Sequence, residues 1–507
     1  MRHRPGRTCR RDVERECRNR MKNIETLGAL RQAGYRSRSV KDEIRANLRA
    51  RLEAGEPLFP GIIGYEKTVV PQLVNALLAR HDIILLGLRG QAKTRILRML
   101  VQFLDETIPI LKDAPLNDDP FHPASATGRL IVQKEGDKAA VTWLPRELRF
   151  GEKLATPDVT IADLIGDIDP IKAAREKLDF SDPAVIHYGI IPRTNRGIFA
   201  INELPDLQPR IQVGLLNILE ENDIQIRGFP VRIPLDMLMV FSANPEDYTN
   251  RGNIITPLKD RIDSQIITHY PTSLEAALAI TAQEAWVDRG SHVEVPALIR
   301  EIVEALAFEA RESEYVDQSS GVSARVPIAA LENVVSNAER RALQSGERKP
   351  AARVVDVVAA LPAVTGKIEL VYEGEQEGPL VVAMGLVGKA VQRVFNRRCP
   401  NPKKSSRESR EDSVFADVLA FFNSGRSLDL SDSDTEKQHR DKLKAVDGLS
   451  VLADKFFEPA GPAEQAVAME VILEGLHQYN LLAREATDQA FRYTDMLATM
   501  LRTTEDD

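Results

Sequence analysis

DIILLGLRGQAKTRILRMLVQFL, residues 82–104, decides the fold. DIILLG is a short unbroken apolar run, the composition of a parallel strand buried on both faces. GLRGQAKT follows it and carries two glycines. KTRILRMLVQFL then spaces its apolar residues as a helix does. Strand, glycine turn and helix is the setting that a phosphate-binding loop requires. Gly87-Leu88-Arg89-Gly90-Gln91-Ala92-Lys93-Thr94 fits the pattern GxxxxGK[ST] everywhere except the sixth position, where Ala92 stands for glycine. Glycines in such a loop let backbone N–H groups turn inward onto phosphate oxygens. Lys93 would neutralise the β- and γ-phosphates, and the Thr94 hydroxyl would ligate Mg²⁺. The helix that opens at Lys93 and continues through Arg95 adds its positive end.

Two further apolar strands lie downstream. GIFAIN, residues 197–202, ends at Asn202 and Glu203. MLMVFSA, residues 237–243, ends at Asn244. A strand that ends in acid beside a phosphate loop serves Mg²⁺ and water. Glu203 is placed to act as general base toward the attacking water. Asn202 stands where aspartate is usual and brings an acceptor without a negative charge. The Asn244 amide is expected to orient water near the γ-phosphate. Strands alternating with helices predict a parallel sheet with helices on both faces.

Around these strands the reading is coarser. Residues 22–57 look like an amphipathic helical lead-in. Residues 110–160 read as irregular, with a hairpin at GRLIVQKEGDKAAVTWL, residues 128–144. A helix is expected near IADLIGDIDPIKAAREKL. A second hairpin is expected at DIQIRGFPVRIP, with Ile224 and Ile226 alternating against Val231 and Ile233. From about residue 272 the chain reads as helical, and residues 398–413 as a polar linker. The region beyond it reads as helical and shows no chemical motif.

Composition narrows the classes. With 507 residues, the prior is two or three domains. A net charge of −8 gives no general attraction to nucleic acid. Eight histidines make a multi-histidine metal site improbable. Cys9, Cys17 and Cys399 show neither metal-ligand spacing nor a disulfide framework. That fits a reducing cytosol, so a cytoplasmic protein is expected. No apolar run approaches the ~20 residues that span a bilayer. The arginine-rich opening, residues 1–20, contains Asp12, Glu14 and Glu16 and no serine, unlike a transit peptide. It reads as an extension, with Met21 opening a more ordinary sequence.

GLRGQAKT resembles the GxxGxAK[ST] loop of MoxR-type AAA+ proteins, which accept alanine at that position. YGIIPRTNRGIFAINELPDL resembles the magnesium-chelatase ATPase subunit, whose helix-2 insert runs into its Walker B strand in this way. VFSANPED looks like that family's sensor 1. PLKDRID looks like its LLDRF segment, which would make Arg261 an arginine finger. GVSAR, residues 321–325, looks like sensor 2, which would make Arg325 the lid arginine. GIIG, residues 61–64, matches the segment near adenine and places Ile63 and Gly64 there. The resemblance covers roughly residues 55–345. It implies an α/β AAA+ core over 55–270, a helical lid over 271–365 and a mainly helical region over 366–507. Residues 1–54 would be an extension, basic and then helical.

The resemblance implies ATP and Mg²⁺ as cofactors, with Gly87, Gly90, Gln91, Ala92, Lys93, Thr94 and Arg95 along the nucleotide and Thr94 and Asn202 toward the metal. An arginine finger works only in a neighbour's site, so a ring is implied, with a hexamer expected. Three functions follow. One is a MoxR-like remodelling ATPase with a partner carrying a von Willebrand A domain. Another is the magnesium-chelatase motor subunit that drives Mg²⁺ insertion into protoporphyrin. The third is an ATP-sensing scaffold that hydrolyses little, which Asn202 keeps open. The bland readings stand beside these. Arg261 also reads as a surface ion-pair partner, with Arg251 as a second candidate for a charge aimed across the interface. Asp429-Leu430-Ser431-Asp432-Ser433 matches the DxSxS metal loop of von Willebrand A domains, but no apolar strand precedes it and too little chain follows. His122 and His187 read as ordinary polar residues.

Overall fold

The computed structural model describes residues 23–177, 182, 185–226, 232–244, 253–290, 293–403, 414–487 and 490–496. Cys9, Cys17, Met21, Val231 and Arg251 lie outside them. The chain divides into two compact units. The first takes in the chain up to Leu88 and then Ala92–His269; the second takes in Arg89–Gln91 and the chain from Tyr270 onward. Among the described residues no helix is long and apolar enough to cross a membrane.

The first unit has strands β1 (Ile83–Leu86), β2 (Thr107–Leu111), β3 (Val141–Pro145), β4 (Phe150–Leu154), β5 (Gly166–Ile168) and β6 (Ile186–Tyr188). It continues with β7 (Gly197–Asn202), β8 (Asp223–Gln225), β9 (Arg232–Pro234), β10 (Met237–Ala243) and β11 (Ser264–Ile267). Five of them build one sheet in the order β11-β1-β10-β7-β4, and every neighbouring pair is parallel. Successive residues of a strand face opposite sides. Ile83, Leu85, Ile198, Ala200, Leu238 and Val240 therefore share one face, packed with Leu48, Leu73, Ile96 and Leu97. Ile84, Phe199, Ile201, Met239 and Phe241 share the other, packed with Ile211, Ile218 and Leu258. The expected sheet with helices on both faces is present.

Two of its strands went unforeseen. β11 is only four residues long. β4, FGEKL, is a polar edge strand in the stretch read as irregular. Its alternation is too weak to mark it, and a buried ion pair just before it holds the chain there. Both nitrogens of the Arg149 fork donate to Glu43 at 2.7 Å, and Arg149 Nε donates to the Arg196 carbonyl at 2.7 Å.

The hairpin expected at residues 128–144 is corrected. Its first half is a helix, Ala126–Glu135, capped by Ser125, whose hydroxyl accepts from the Gly128 N–H. A capped first turn outweighs the short apolar run that suggested a strand. Its second half is β3, which pairs with β2. The helix expected near residues 161–178 is broken into Ile161–Leu164, β5 and Pro170–Glu176, with β5 antiparallel to β6. Gly166, at φ 123°, is the break. The second expected hairpin is present as β8 against β9, with Ile224 opposite Ile233.

The second unit is mainly helical. The three helices expected at its start are Leu274–Glu284, Ala297–Glu312 and Arg325–Ser345. One hydrophobic core runs from Leu298 through Phe395 to Phe422, Leu473 and Tyr493. The region beyond residue 413 also holds β12 (Leu428–Ser431), β13 (Leu482–Thr487) and β14 (Ala490–Asp495), an antiparallel sheet in the order β12-β14-β13. No strand was expected there.

Candidate functional site

In an open parallel sheet, ligands bind beyond the carboxyl ends of the strands. Here Leu86 pairs with Ala243, Phe241 with Ile201 and Asn202 with Leu154, so the ends of β1, β10, β7 and β4 lie level. The phosphate loop leaves β1 at this edge, and the Gly87 N–H donates to the Ala243 carbonyl at 3.2 Å. Ala92 lies in the left-handed region, φ 57°, immediately before the helix Lys93–Met99. The loop demands a conformation that glycine adopts freely, and alanine adopts it at a cost of roughly 1–2 kcal/mol. Gly90 also has positive φ, 73°. Within the second unit, Arg89 pairs with Glu369 at 2.7 Å and donates to the Ser320 carbonyl at 3.2 Å.

Lys93 is buried, and its ammonium donates to the Gly87 carbonyl, to the Leu88 carbonyl at 3.0 Å and to Asn244 Oδ1 at 2.5 Å. Asn244 Nδ2 donates in turn to Glu203 Oε2 at 2.6 Å. One amide thus joins the phosphate-loop lysine to the expected base. Glu203 itself has φ 55°, in the left-handed region. Such strain in a residue with a Cβ costs of order 1–3 kcal/mol and gathers at functional sites.

The second line runs along the same sheet edge. Thr94 Oγ1 donates to Asn202 Oδ1 at 3.4 Å, and Ser242 Oγ donates to the same oxygen at 3.0 Å. Asn202 Nδ2 donates to Glu152 Oε1 at 2.6 Å. Arg98, one helical turn after Thr94, pairs with Glu152 at 2.8 and 3.0 Å. That hydrogen bond first, and the carboxylate charge second, hold the Arg98 guanidinium above its ordinary value. Glu152 and Arg98 were missed from the sequence. Glu152 sits on the unforeseen edge strand, and its contact with Asn202 crosses between two strands far apart in the chain.

The core is a parallel α/β sheet with a glycine-bearing strand–loop–helix unit at its strand ends. No protein-family model matches the chain. Among solved structures it is similar to a putative ATPase from Cytophaga hutchinsonii at 16% identity, TM-score 0.29, over 69% of this chain and 96% of that one. It is similar to a chain of the magnesium chelatase BchI–BchD complex at 18% identity, TM-score 0.32, over 63% of this chain and 98% of that one. It is also similar to Hsp104 at 13% identity, TM-score 0.37, over 69% of this chain and 55% of that one. Likenesses this distant carry no activity to this chain; its own residues must do so.

Lys93, Thr94, Asn202, Glu203 and Asn244 are thus brought together. Ile63, Gly64, Arg261 and Arg325 take no part in their hydrogen bonds among the described residues. Ile63 and Gly64 lie in an irregular stretch ahead of the helix Val69–Ala79, with the Gly64 N–H donating to Glu66 at 3.1 Å. Arg261 closes the helix Thr256–Arg261, where it pairs with Glu220 at 2.7 Å and donates to the Pro257 carbonyl at 3.0 Å. Arg325 is exposed at the start of its helix in the second unit, its N–H donating to Ser323 Oγ at 3.1 Å. Arg95 is exposed on the loop's helix and Gln91 is buried.

The residues at this edge fit Mg²⁺, which takes oxygen ligands and keeps most of its waters and phosphate contacts. Thr94 Oγ1 and Asn202 Oδ1 are such oxygens, and two carboxylates stand beside them. Among the described residues no group of three or more His, Cys, Asp or Glu could hold a metal by itself. The DxSxS stretch is held by ordinary contacts: Asp429 pairs with Arg492 at 2.6 Å, Ser431 with Ser433 at 2.8 Å and Asp432 with Arg341 at 3.1 Å. His187 shares a hydrogen bond with Arg193 at 3.1 Å.

Proposed function

We propose that this chain is an AAA+ motor that hydrolyses ATP with Mg²⁺ and uses the cycle to remodel or activate a partner protein. The observation that carries the ATPase reading is the hydrogen-bonded line Lys93–Asn244–Glu203. It runs beside the Thr94–Asn202 pair at the same strand ends. Lys93 leaves the loop carbonyls for the β- and γ-phosphates. Asn244 holds the Glu203 carboxylate, which takes the proton of the attacking water. Bound Mg²⁺ supplies the positive charge that neutralises the phosphate oxygens. Thr94 and Asn202 are the residues that would hold it.

Arg261 is the finger that reaches a neighbour's nucleotide in a ring of six, and Arg325 is the lid arginine. The Arg261–Glu220 pair does not oppose this, because an ion pair at the surface is worth about 0–1 kcal/mol and exchanges readily. The partner we favour carries a von Willebrand A domain, following the MoxR-like loop. A scaffold that binds ATP and hydrolyses little is the second reading, favoured by the uncharged Asn202.

Steady-state ATP hydrolysis separates the two. The motor reading expects Mg²⁺-dependent turnover that Glu203→Gln lowers about 10²–10⁴-fold while ATP binding persists. Binding without turnover in both proteins hands the lead to the scaffold. Light scattering with a slowly hydrolysed ATP analogue tests the ring: a particle that stays monomeric at saturating analogue sinks the roles of Arg261 and the hexamer.

A further inference from the structure

The residue at the metal corner is an amide, and a carboxylate stands behind it. Asn202 has a donor end and an acceptor end. Its three contacts assign them: Nδ2 points to Glu152 at 2.6 Å, and Oδ1 receives Ser242 at 3.0 Å and Thr94 at 3.4 Å. The oxygen is therefore the end turned toward the metal-ligating threonine. A hydrogen bond from the amide N–H to a carboxylate polarises the amide and makes that oxygen a better ligand. Glu152 faces Asn202 because of register. It pairs with Ala200 across β4 and β7, so Glu152, Ala200 and Asn202 share one sheet face. The helix Lys93–Met99 packs on that face through Ile96 and Leu97. Thr94 and Arg98 are one turn apart on that helix.

We propose that Glu152 supplies the negative charge that Asn202 lacks, so that the Glu152–Asn202 pair replaces a single aspartate at the magnesium corner. This rests on the Mg²⁺–nucleotide reading above. Glu152 is a positioning residue: it orients and polarises Asn202 and adds charge, without itself touching the nucleotide. A simpler role exists, since charged residues on an edge strand guard the sheet against pairing with other chains. A guard points to solvent. The Glu152 side chain is only 23% exposed and is turned onto Asn202, whereas its partner Arg98 is 62% exposed. Arg98 serves as the counter-charge that the arriving dication relieves.

Titration with a fluorescent ATP analogue, in saturating Mg²⁺ and in EDTA, tests this. Glu152→Gln is expected to weaken binding in Mg²⁺ about 10- to 100-fold, the usual effect of losing a group behind a metal ligand. Binding in EDTA is expected to stay unchanged. Adding Asn202→Asp to Glu152→Gln is expected to restore the Mg²⁺ dependence by returning the charge to the strand end. Electron paramagnetic resonance of Mn²⁺ should show the same loss and recovery of bound ion. An equal loss in Mg²⁺ and EDTA, or no loss at all, overturns the proposal and leaves the nucleotide site standing. A wild-type protein that binds no nucleotide removes the site itself, and this proposal with it.

Discussion

Two of the places where this molecule buries polar groups do it differently. At the strand ends of the first unit, Lys93, Asn202 and Asn244 are buried, the Lys93 ammonium rests on loop carbonyls, and Ala92 and Glu203 sit in left-handed backbone. In the second unit, Arg341 is buried against Asp356 at 2.6 Å and against Asp432 at 3.1 Å. Asn337 also donates to Asp356 at 2.6 Å, and Arg353 pairs with Glu436 at 2.9 Å. There every charge meets its opposite and joins the segment after β12 to the helix Arg325–Ser345. The second arrangement matches charge to charge within the chain. The first holds Ala92 and Glu203 in left-handed backbone and rests a lysine on loop carbonyls, where the proposed function would seat a phosphate.

That contrast predicts opposite behaviour. Asp356→Ala leaves Arg341 buried without its partner, and breaking such a pair costs about 3–5 kcal/mol. Chemical denaturation should show that loss, with nucleotide affinity unchanged below the transition. A small change in stability would erase the distinction between the two places. Lys93→Ala should do the reverse. It removes a charged hydrogen-bonding group worth about 1.5–3 kcal/mol toward phosphate, or roughly 10- to 100-fold in nucleotide affinity. Stability should move by no more than about 1 kcal/mol. A large destabilisation would make Lys93 a structural residue.

Ala92→Gly sharpens the strain argument. Glycine relieves the left-handed position, but part of the gain is lost because it also loosens the unfolded chain. A net stabilisation of up to about 1 kcal/mol is expected in the denaturation midpoint, with nucleotide still bound. A destabilised variant would show that the alanine methyl packs usefully. The smallest effect is at Cys399, a buried thiol of the second unit that burial pushes up to about 12. At pH 8 the thiol form dominates, so iodoacetamide should leave Cys399 unmodified in the native protein and modify it in urea. Mass mapping of the peptide reads this. Rapid native modification would mean that the core around Phe395 opens.

The places of Glu203 and Asn244 were legible because each follows an unbroken apolar run, and those of Lys93 and Thr94 because a glycine-bearing turn leads from another such run into a helix. A strand buried on both faces writes itself into the sequence as such a run. β4 was not legible, because an edge strand is covered on one side only and tolerates Gly151, Glu152 and Lys153. β12, β13 and β14 were missed for a similar reason. They alternate charged and apolar residues over a few positions, among helices rich in the same residue types.

The sequence alone determined the strand–loop–helix unit at residues 82–104 and the parallel sheet, since these depend on local pattern and residue type. Only the tertiary structure decided which side chains meet. Pairing β4 with β7 brings Glu152 to Asn202, and pairing β7 with β10 brings Ser242 to the same amide. Those partners are 50 and 40 positions away in the chain, and no local pattern encodes a register between distant strands.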